Sequence, residues 1–248
     1  MSKVLVELKN VSKWYGEGAD KTEVLSNINL TIHEGEFVAI VGFTGSGKTT
    51  LVNLLTGLIQ PDKGEVIFKG KPIEGPSLER GIIFQNYSLL PWLNVYQNVQ
   101  LGIDAEQLDI CKYYLSKVRL ENSFHKKASE LSQGMQQRVG IARAFALKPK
   151  ILLLDEPFGM LDSLTRAELQ DVLLEIWEQE KITAIQITHD VDEAIFLADR
   201  IIMMTSGPRA QIGDILEIDF ERPRFRKEIL NDPNYYNYRK HLIDFLEH

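Results

Sequence analysis

Residues 42–49 read GFTGSGKT, a stretch that combines glycines and hydroxyl side chains with a lysine. Its glycines, lysine and threonine fit the spacing G-x-x-x-x-G-K-[ST]. Glycines let successive backbone amides point inward around an anion, and the lysine adds positive charge for terminal phosphates. The stretch therefore predicts a phosphate loop, with a hydroxyl at position 49 placed for Mg²⁺, and the candidate phosphate-binding residues are Gly42, Thr44, Gly45, Ser46, Gly47, Lys48, Thr49 and Thr50.

The flanking sequence distinguishes this motif from a chance match. The alternative is an ordinary glycine-rich turn that happens to contain a lysine. The apolar run FVAIV at 37–41 precedes the loop, and the helical pattern TLVNLLTGL follows it. A strand before the loop and a helix after it are the context that nucleotide binding needs, so we favour the functional interpretation.

A second candidate group lies at the end of the apolar run ILLLDEP, where Asp155 and Glu156 follow a predicted buried strand. A carboxylate at a strand end can hold Mg²⁺, and its neighbour can accept a proton from an attacking water. An acidic pair that merely ends a strand is the alternative. Beside a phosphate loop, the pair favours an enzyme that hydrolyses a nucleoside triphosphate, with Asp155 on the metal and Glu156 as the base.

The type of nucleotide enzyme is not fixed by these two motifs. The chain has no Asn-Lys dipeptide, so the guanine-reading pattern N-K-x-D of GTPases is absent from the sequence. A small-molecule kinase stays open at this point. Such a kinase gives no account of a third stretch, LSQGMQQR at 131–138.

In this third stretch, Ser132 is placed to cap a helix whose buried stripe is Met135, Val139, Ala142 and Ala146. Capping alone leaves Gly134 unexplained, because glycine costs about 1 kcal/mol relative to alanine in a helix. A glycine there is expected where a ligand approaches the backbone closely. The stretch thus predicts a second phosphate-seeking helix start.

The elements that position these residues alternate between strands and helices. Continuous apolar runs at 37–41, 151–155, 183–188 and 201–204 are typical of parallel strands buried on both faces. Alternating patterns at 4–8, 25–32 and 65–71 indicate partly exposed antiparallel strands. A helical stripe follows Leu161, namely Leu164, Leu169, Val172, Leu173, Ile176 and Trp177, and a short helix over 191–198 starts with a predicted capping box of Asp190 and Glu193.

Composition restricts the class of protein further. The chain has 248 residues, 44% of them apolar, and a net charge of -7, which argues against a nucleic-acid partner. Cys111 is the one cysteine, so a disulfide framework is excluded and a reducing compartment fits. No stretch approaches the roughly 18 apolar residues of a membrane span. We therefore expect a chain that is soluble by itself and able to dock on a membrane protein.

The order of these motifs resembles that of ATP-binding cassette (ABC) proteins, whose signature has the common form LSGGQ. The resemblance covers about residues 4–205 and includes Tyr15 in VSKWYG, Gln85 in IIFQN, Asp162 in GMLD and His189 in ITHD. LSQGMQQR, hereafter the signature segment, departs from the common form at Gln133 and Met135. The family implies an α/β fold: a P-loop NTPase core (1–85 and 149–206) with an antiparallel β subdomain, an inserted helical subdomain (86–148) and a tail (207–248), all one domain over 1–248.

The resemblance also implies roles. Tyr15 stacks on the adenine of ATP, although Trp14 is a rival and a core position is the alternative. His189 contacts the γ-phosphate, Gln85 senses Mg²⁺ and water, and both follow strands; a structural histidine and an ordinary surface amide are the alternatives. Ser132 and Gly134 contact the γ-phosphate of ATP held by another subunit. Asp162 crosses the dimer seam, and it is also a candidate helix cap. The implied catalytic set is Glu156, His189, Gln85 and Lys48, and Thr49, Gln85 and Asp155 form the Mg²⁺ set. Tyr15, Ser132, Gly134 and Asp162 belong to the nucleotide-binding set.

The partners are likewise implied by the family. They are a second ABC ATPase subunit in a head-to-tail homodimer or heterodimer, permease subunits in the membrane and, indirectly, a solute-binding protein. The expected location is the cytoplasmic face of a bacterial cell membrane. The apolar stretch NYSLLPWLNV at 86–95 either docks on the permease or fills its own core. One phosphate loop, one signature and no sustained heptads favour a transporter subunit over the soluble ATPases of DNA repair or translation. A cassette without fused membrane spans favours an importer, and an exporter with a separate ATPase is the alternative.

The finer resemblance is to ATPase subunits that serve nitrate, sulfonate, taurine and bicarbonate import. EPFGMLDSLTR, THDVDEAIFLADRI and the tail segment 221–246 carry it. The residues at 222–224 and 235–239 look closest to the nitrate branch. The tail's alternative role is a short packing helix.

Overall fold

The computed structural model describes residues 3–247, so the predicted domain limits at 1 and 248 lie outside the described residues. Strands and helices alternate along this range. In chain order the strands are β1 Val4–Tyr15, β2 Thr22–His33, β3 Phe37–Gly42, β4 Lys63–Phe68, β5 Lys71–Pro72, β6 Arg80–Ile83, β7 Ile151–Asp155, β8 Thr183–Ile187, β9 Arg200–Met204 and β10 Ile212–Glu217. The helices are α1 Lys48–Thr56, α2 Val95–Gln100, α3 Asp109–Lys117, α4 Gln133–Ala146, α5 Ser163–Glu180, α6 Val191–Leu197, α7 Arg226–Asn231 and α8 Pro233–Glu247.

The chain forms two compact units. The first comprises the residues up to Ser77 together with those from Thr183 onward, and the second is Leu78–Ile182. The second unit extends beyond the predicted insertion 86–148, because α4 packs against β6 and α5, and β6 pairs with β7. The contacts therefore group β6, β7 and α5 with the helices instead of with the first unit.

The first unit contains an antiparallel sheet in the order β2-β1-β4-β5. Leu8 pairs with Leu30 and Val11 with Ile28 across β1 and β2, and all four side chains are buried. These strands match the predicted alternating patterns, since one face is apolar and packed while the other meets water. Tyr15 is the last residue of β1, which places it at an end of this sheet.

The first unit also contains parallel strands around β3. β8 and β9 both pair with β3 in parallel, and every residue of β3 is buried. The parallel strands predicted from continuous apolar runs are confirmed. β10 pairs with β9 in antiparallel fashion and was not predicted. Its residues alternate between half-buried and exposed, so its sequence lacks the apolar run that marks the other strands.

The tail of the first unit packs on α6. The Tyr235 hydroxyl and the Arg239 guanidinium donate to the carboxylate of Asp192 on that helix, at 2.7 and 2.8 Å. At the start of α6, Asp190 accepts from the backbone amide of Glu193, which is the first half of the predicted capping box. The Glu193 carboxylate accepts a hydrogen bond from the buried Gln186 amide of β8. The packing-helix interpretation of the tail thus describes α8.

The second unit is built around α4, which contacts α2, α3 and α5. Val139, Ala142 and Ala146 of the predicted stripe are buried, and Met135 is half-buried. The stripe predicted for α5 is wrong at one position. Leu164 is 82% exposed, because it lies in the first turn of α5, whereas Leu169 and later members are buried. Within residues 3–247, no helix is both long and apolar enough to cross a membrane.

Candidate functional site

The phosphate loop of the first unit joins β3 to α1. Gly45 and Gly47 have φ values of 84° and 80°, which glycine adopts without steric cost. Gly47 caps α1, and in the described part of the chain no side chain bonds to this helix end. The helix dipole favours negative charge at this end of α1, where the amides of the first turn lie.

Lys48 lies across its own loop. Its Nζ donates to the carbonyl oxygens of Gly42 and Phe43, both at 2.8 Å, and the residue is 7% exposed. A phosphate oxygen is a stronger acceptor for an ammonium group than a neutral carbonyl is. The loop therefore holds a desolvated cation beside the open amides.

The hydroxyl groups of the loop fit a triphosphate as well. The Ser46 Oγ is buried, and it has no hydrogen-bond partner among the residues that the structure describes. Thr44 and Thr49 are exposed, and Thr50 is half-buried. An orphaned buried donor and exposed hydroxyls are what a loop prepared for phosphate oxygens should present.

Three further residues of the first unit bear on the prediction. Tyr15 is 43% exposed, so it does not fill the core. The rival Trp14 is half-buried, and the ammonium groups of Lys21 and Lys63 lie 5.5 and 5.3 Å from its ring centre. Cations thus approach both rings, since the Lys13 ammonium lies 5.8 Å from the Tyr15 ring centre. His189 is exposed in the loop between β8 and α6, as expected for a residue that follows a strand.

In the second unit, Asp155 ends β7 and Glu156 follows it, both half-buried. The Glu156 backbone has a φ of 46°, an uncommon value for a residue other than glycine. The Gln85 side-chain amide donates to the Glu156 carboxylate at 3.5 Å. The structure thus brings together two of the predicted catalytic residues, one on each of the segments that follow β6 and β7.

The Mg²⁺ set predicted from the sequence consists of hard oxygen donors: the Thr49 hydroxyl, the Gln85 amide and the Asp155 carboxylate. Among residues 3–247, no group of three or more His, Cys, Asp or Glu side chains is arranged to hold a metal. Mg²⁺ is commonly held by one or two carboxylates together with substrate phosphates. The donor chemistry of these residues fits that mode of binding.

The signature segment starts α4. Ser132 is exposed and caps the helix, because its Oγ accepts from the Met135 amide at 3.3 Å. The hydroxyl hydrogen is not used by this cap, so Ser132 can also donate to an anion. Gln133 is exposed, and the structure gives it no defined partner in the described residues.

Gly134 has a reason inside the protein, which corrects the expectation that only a ligand explains it. It is buried, and a Cβ at this position would lie 2.6 Å from the Thr165 Cγ2 of α5. Any larger residue would push α4 away from α5. The glycine therefore also sets the packing of two helices.

Asp162 caps α5. Its Oδ1 accepts from the Leu164 and Thr165 amides, both at 3.1 Å. The Thr165 hydroxyl and amide lower the pKa of this carboxyl, because they bond to its charged form. Met160 and Leu164 are 49% and 82% exposed on either side of it. An exposed capping residue between apolar side chains can contact a second protein.

The stretch 86–95 does not have a single role. Val95 is buried in the second unit, whereas Trp92 is 70% exposed. The core-filling interpretation therefore holds for Val95, whereas docking on a permease stays a prediction for the exposed Trp92.

Two α4 residues near the site, Gln137 and Arg143, were not predicted from the sequence. The Gln137 Nε2 donates to the Pro157 carbonyl beside Glu156 at 2.6 Å. Arg143 donates to the Tyr87 and Ser88 carbonyls, which follow Gln85. Spacing along α4 gives no signal for either contact, because the partners lie on other segments.

Comparisons with known proteins agree with this set of motifs. The family model described as ABC transporter matches residues 25–159. The bicarbonate transport ATP-binding protein CmpD of Synechococcus elongatus is 47% identical over 247 residues, which is 96% of this chain and 89% of that protein. The nitrate import protein NrtD of the same organism is 47% identical over 90% of this chain and 84% of NrtD. The nitrate transport protein NasD of Klebsiella oxytoca is 43% identical over 98% and 97% of the two chains.

Solved structures agree as well. The dimeric structure of MJ0796, a bacterial ABC transporter cassette, has a TM-score of 0.76 and 33% identity, and covers 88% of this chain and 100% of that one. The same cassette was solved bound to ADP and phosphate after hydrolysis. The predicted fold class, a P-loop α/β cassette with an antiparallel β subdomain and a helical region, is confirmed.

The fold and the phosphate loop define a nucleotide-binding cassette ATPase. The chain belongs to the ABC transporter family, among the ATP-binding subunits whose relatives serve bicarbonate and nitrate transport. It binds ATP and hydrolyses it, as an ABC-type ATPase does.

Proposed function

We propose that this chain is the ATP-hydrolysing subunit of a membrane importer for a small monovalent anion, nitrate or bicarbonate. The observation that carries the proposal is the 47% identity to CmpD across 96% of the chain. The match to NrtD is equally strong in identity, so both anions stay in the proposal. An alternative within the same role is sulfonate or taurine import.

In this proposal the phosphate loop of the first unit binds the triphosphate. Lys48 gives up the Gly42 and Phe43 carbonyls for the terminal phosphates, and Ser46, Thr44 and the loop amides donate to the others. Tyr15 stacks on the adenine, because its ring is exposed at a strand end.

The same proposal makes Glu156 the general base. Its carboxylate accepts a proton from the attacking water, and Gln85 helps to orient both. His189 donates to the γ-phosphate. Thr49, Asp155 and Gln85 would hold Mg²⁺, which when bound neutralises the charge that develops on the phosphate oxygens.

We further propose that two cassettes pair head to tail, so that Ser132 and Gly134 of one contact the ATP bound by the other. The exposed Ser132 hydroxyl and the exposed residues around Asp162 support this arrangement. The relative MJ0796 was solved as a dimer. ATP then acts as a bridging ligand that stabilises the closed dimer, and its hydrolysis releases the two subunits.

In this proposal the chain binds a membrane permease at the cytoplasmic face of the cell membrane. A solute-binding protein is an indirect partner, through the permease. Trp92 is the residue we assign to the permease contact, since it is a large apolar side chain that is 70% exposed.

The experiment that tests the proposed function is purification of the tagged chain from membranes, followed by reconstitution in vesicles. We expect a permease to copurify, and we expect ATP-dependent uptake of labelled nitrate or labelled bicarbonate that Glu156→Gln abolishes. The anion that accumulates names the substrate. Recovery of nucleic acid or ribosomes without a permease would overturn the proposal in favour of a soluble cassette ATPase.

A further inference from the structure

Gln137 is a polar side chain in the interior of the second unit. It lies on α4, and it is 0% exposed. Its Nε2 donates to the Pro157 carbonyl at 2.6 Å, and its Oε1 is buried without a hydrogen-bond partner in the described residues. A buried amide with one unsatisfied oxygen costs stability that an apolar side chain of the same size would not cost. The hydrogen bond to the Pro157 carbonyl is the interaction that an apolar side chain could not make.

The Pro157 carbonyl that Gln137 binds lies next to a residue with an unusual backbone conformation. Glu156 has a φ of 46°, and such conformations persist only where neighbouring contacts fix them. One contact is the bond from the Gly159 amide to the Glu156 carbonyl at 3.2 Å. The Gln137 bond is a second, and it acts on the next residue along the chain. Because the proline ring fixes φ at Pro157, anchoring its carbonyl restricts the whole segment.

A general base needs this restriction. Its carboxylate must stay within hydrogen-bond reach of the water that it deprotonates, and small displacements lower the rate steeply. The Gln85 amide at 3.5 Å is a long hydrogen bond, so it orients the carboxylate only weakly. The Gln137 hydrogen bond to the Pro157 carbonyl is shorter, at 2.6 Å, and it restrains the backbone next to Glu156.

We propose that Gln137 is a positioning residue for Glu156, acting through the Pro157 carbonyl. The proposal rests on the proposed role of Glu156 as the base. It has a structural consequence, because Ser132 caps the same helix, α4. Ser132 contacts the ATP of another subunit in the proposed dimer. Gln137, five residues later on the same helix, is hydrogen-bonded to the segment that carries Glu156, which acts on a different ATP.

The test is a double-mutant cycle between Gln137→Leu and Glu156→Gln, measured on the full-length dimer. Leucine keeps most of the volume and removes the donor. We expect Gln137→Leu alone to lower kcat about ten-fold with KM for ATP unchanged, since positioning affects the chemical step and not binding. In the Glu156→Gln background, measured by single-turnover hydrolysis over hours, the same change should cost less than about two-fold.

Gln136→Leu is the matched control. Gln136 is an amide on the same helix that donates to the Ala128 and Leu131 carbonyls instead of Pro157, so any loss that it causes should be equal in both backgrounds. Gln137→Met serves as the second variant if the leucine protein unfolds. An equal loss from Gln137→Leu in both backgrounds, or a raised KM, would overturn the proposal. Normal turnover by Glu156→Gln alone would instead remove Glu156 as the base, and the positioning role with it.

Discussion

Two helix starts in this protein, those of α1 and α4, are candidate phosphate sites, yet they are built differently. α1 is capped by Gly47 in a left-handed conformation, and in the described residues no side chain bonds to its end. α4 is capped by the Ser132 hydroxyl, which accepts from the Met135 amide. The first start therefore lacks a side-chain cap and carries a buried lysine, whereas the second is already capped and offers a hydroxyl hydrogen.

This difference indicates different tasks. A helix start with open amides and a desolvated cation binds phosphate strongly by itself. A self-capped start adds one or two donors to a phosphate that something else holds. The comparison therefore predicts that damage to the first abolishes nucleotide binding, while damage to the second impairs hydrolysis.

The largest effect is expected from Lys48→Ala. Removing the ammonium leaves the loop without its positive side chain, and we expect ATP turnover to fall at least about a hundred-fold together with a loss of ATP binding. Calorimetric titration with ATP and a turnover assay measure both. Lys240→Ala, which removes an exposed lysine of α8, is the control and should bind ATP normally. ATP binding that persists in Lys48→Ala would contradict the predicted difference between the two helix starts.

Glu156→Gln should lower turnover about a hundred-fold or more while ATP binding persists, because an amide cannot accept the proton from water. Sedimentation in the presence of ATP should show a stable dimer, since hydrolysis is what separates the subunits. Glu175→Gln, an exposed site on α5, is the matched control. Near-normal turnover by Glu156→Gln would remove this residue as the base.

Tyr15→Ala should raise KM for ATP about ten-fold with little change in kcat, because stacking on a base contributes to binding and not to chemistry. Tyr15→Phe should behave like the unmodified protein, since the ring is kept. Tyr236→Ala is the control, because it removes a tyrosine that is 65% exposed on α8. An unchanged KM for Tyr15→Ala together with a raised KM for Trp14→Ala would assign the stacking role to Trp14.

The smallest effect is expected at Asp162, which lies beside the second helix start. Asp162→Ala removes the cap of α5 and should slow turnover about three-fold through the Thr165–Gly134 contact. Asp162→Asn keeps a capping oxygen, so rescue by asparagine indicates capping, and failure of rescue indicates a charged contact across the dimer. The Thr165 donors depress the pKa of Asp162, so the charged cap is present at neutral pH and is lost only as the pH falls through that lowered pKa.

The sequence was sufficient for features that depend on local spacing. The phosphate loop, the buried parallel strands, and the helix caps at Ser132, Asp162 and Asp190 all follow from residues within a few positions of one another. What could not be predicted depends on contacts between distant segments. Leu164 belongs to a helical stripe by spacing, yet it is exposed because it lies in the first turn of α5.

The same limit explains the residues that were missed. Gly134 suggested a ligand, and only the structure shows Thr165 packed against it. The first five residues of α4 include three glutamines, Gln133, Gln136 and Gln137. Their spacing does not show that Gln137 is the one that bonds to Pro157. β10 lacks an apolar run, since its pairing with β9 leaves much of it exposed.

The central claim is that the second helix start completes an ATP site of another subunit, and a mixed dimer tests it directly. One subunit carries Ser132→Ala and the other carries Lys48→Ala. If Ser132 acts on the partner's ATP, both lesions fall in one site and the other site is intact. Turnover should then match that of a dimer of unmodified and Lys48→Ala subunits, and it should exceed that of either homodimeric variant. If Ser132 acts on its own subunit's ATP, each site carries one lesion, and turnover no higher than that of the homodimeric variants would contradict the account.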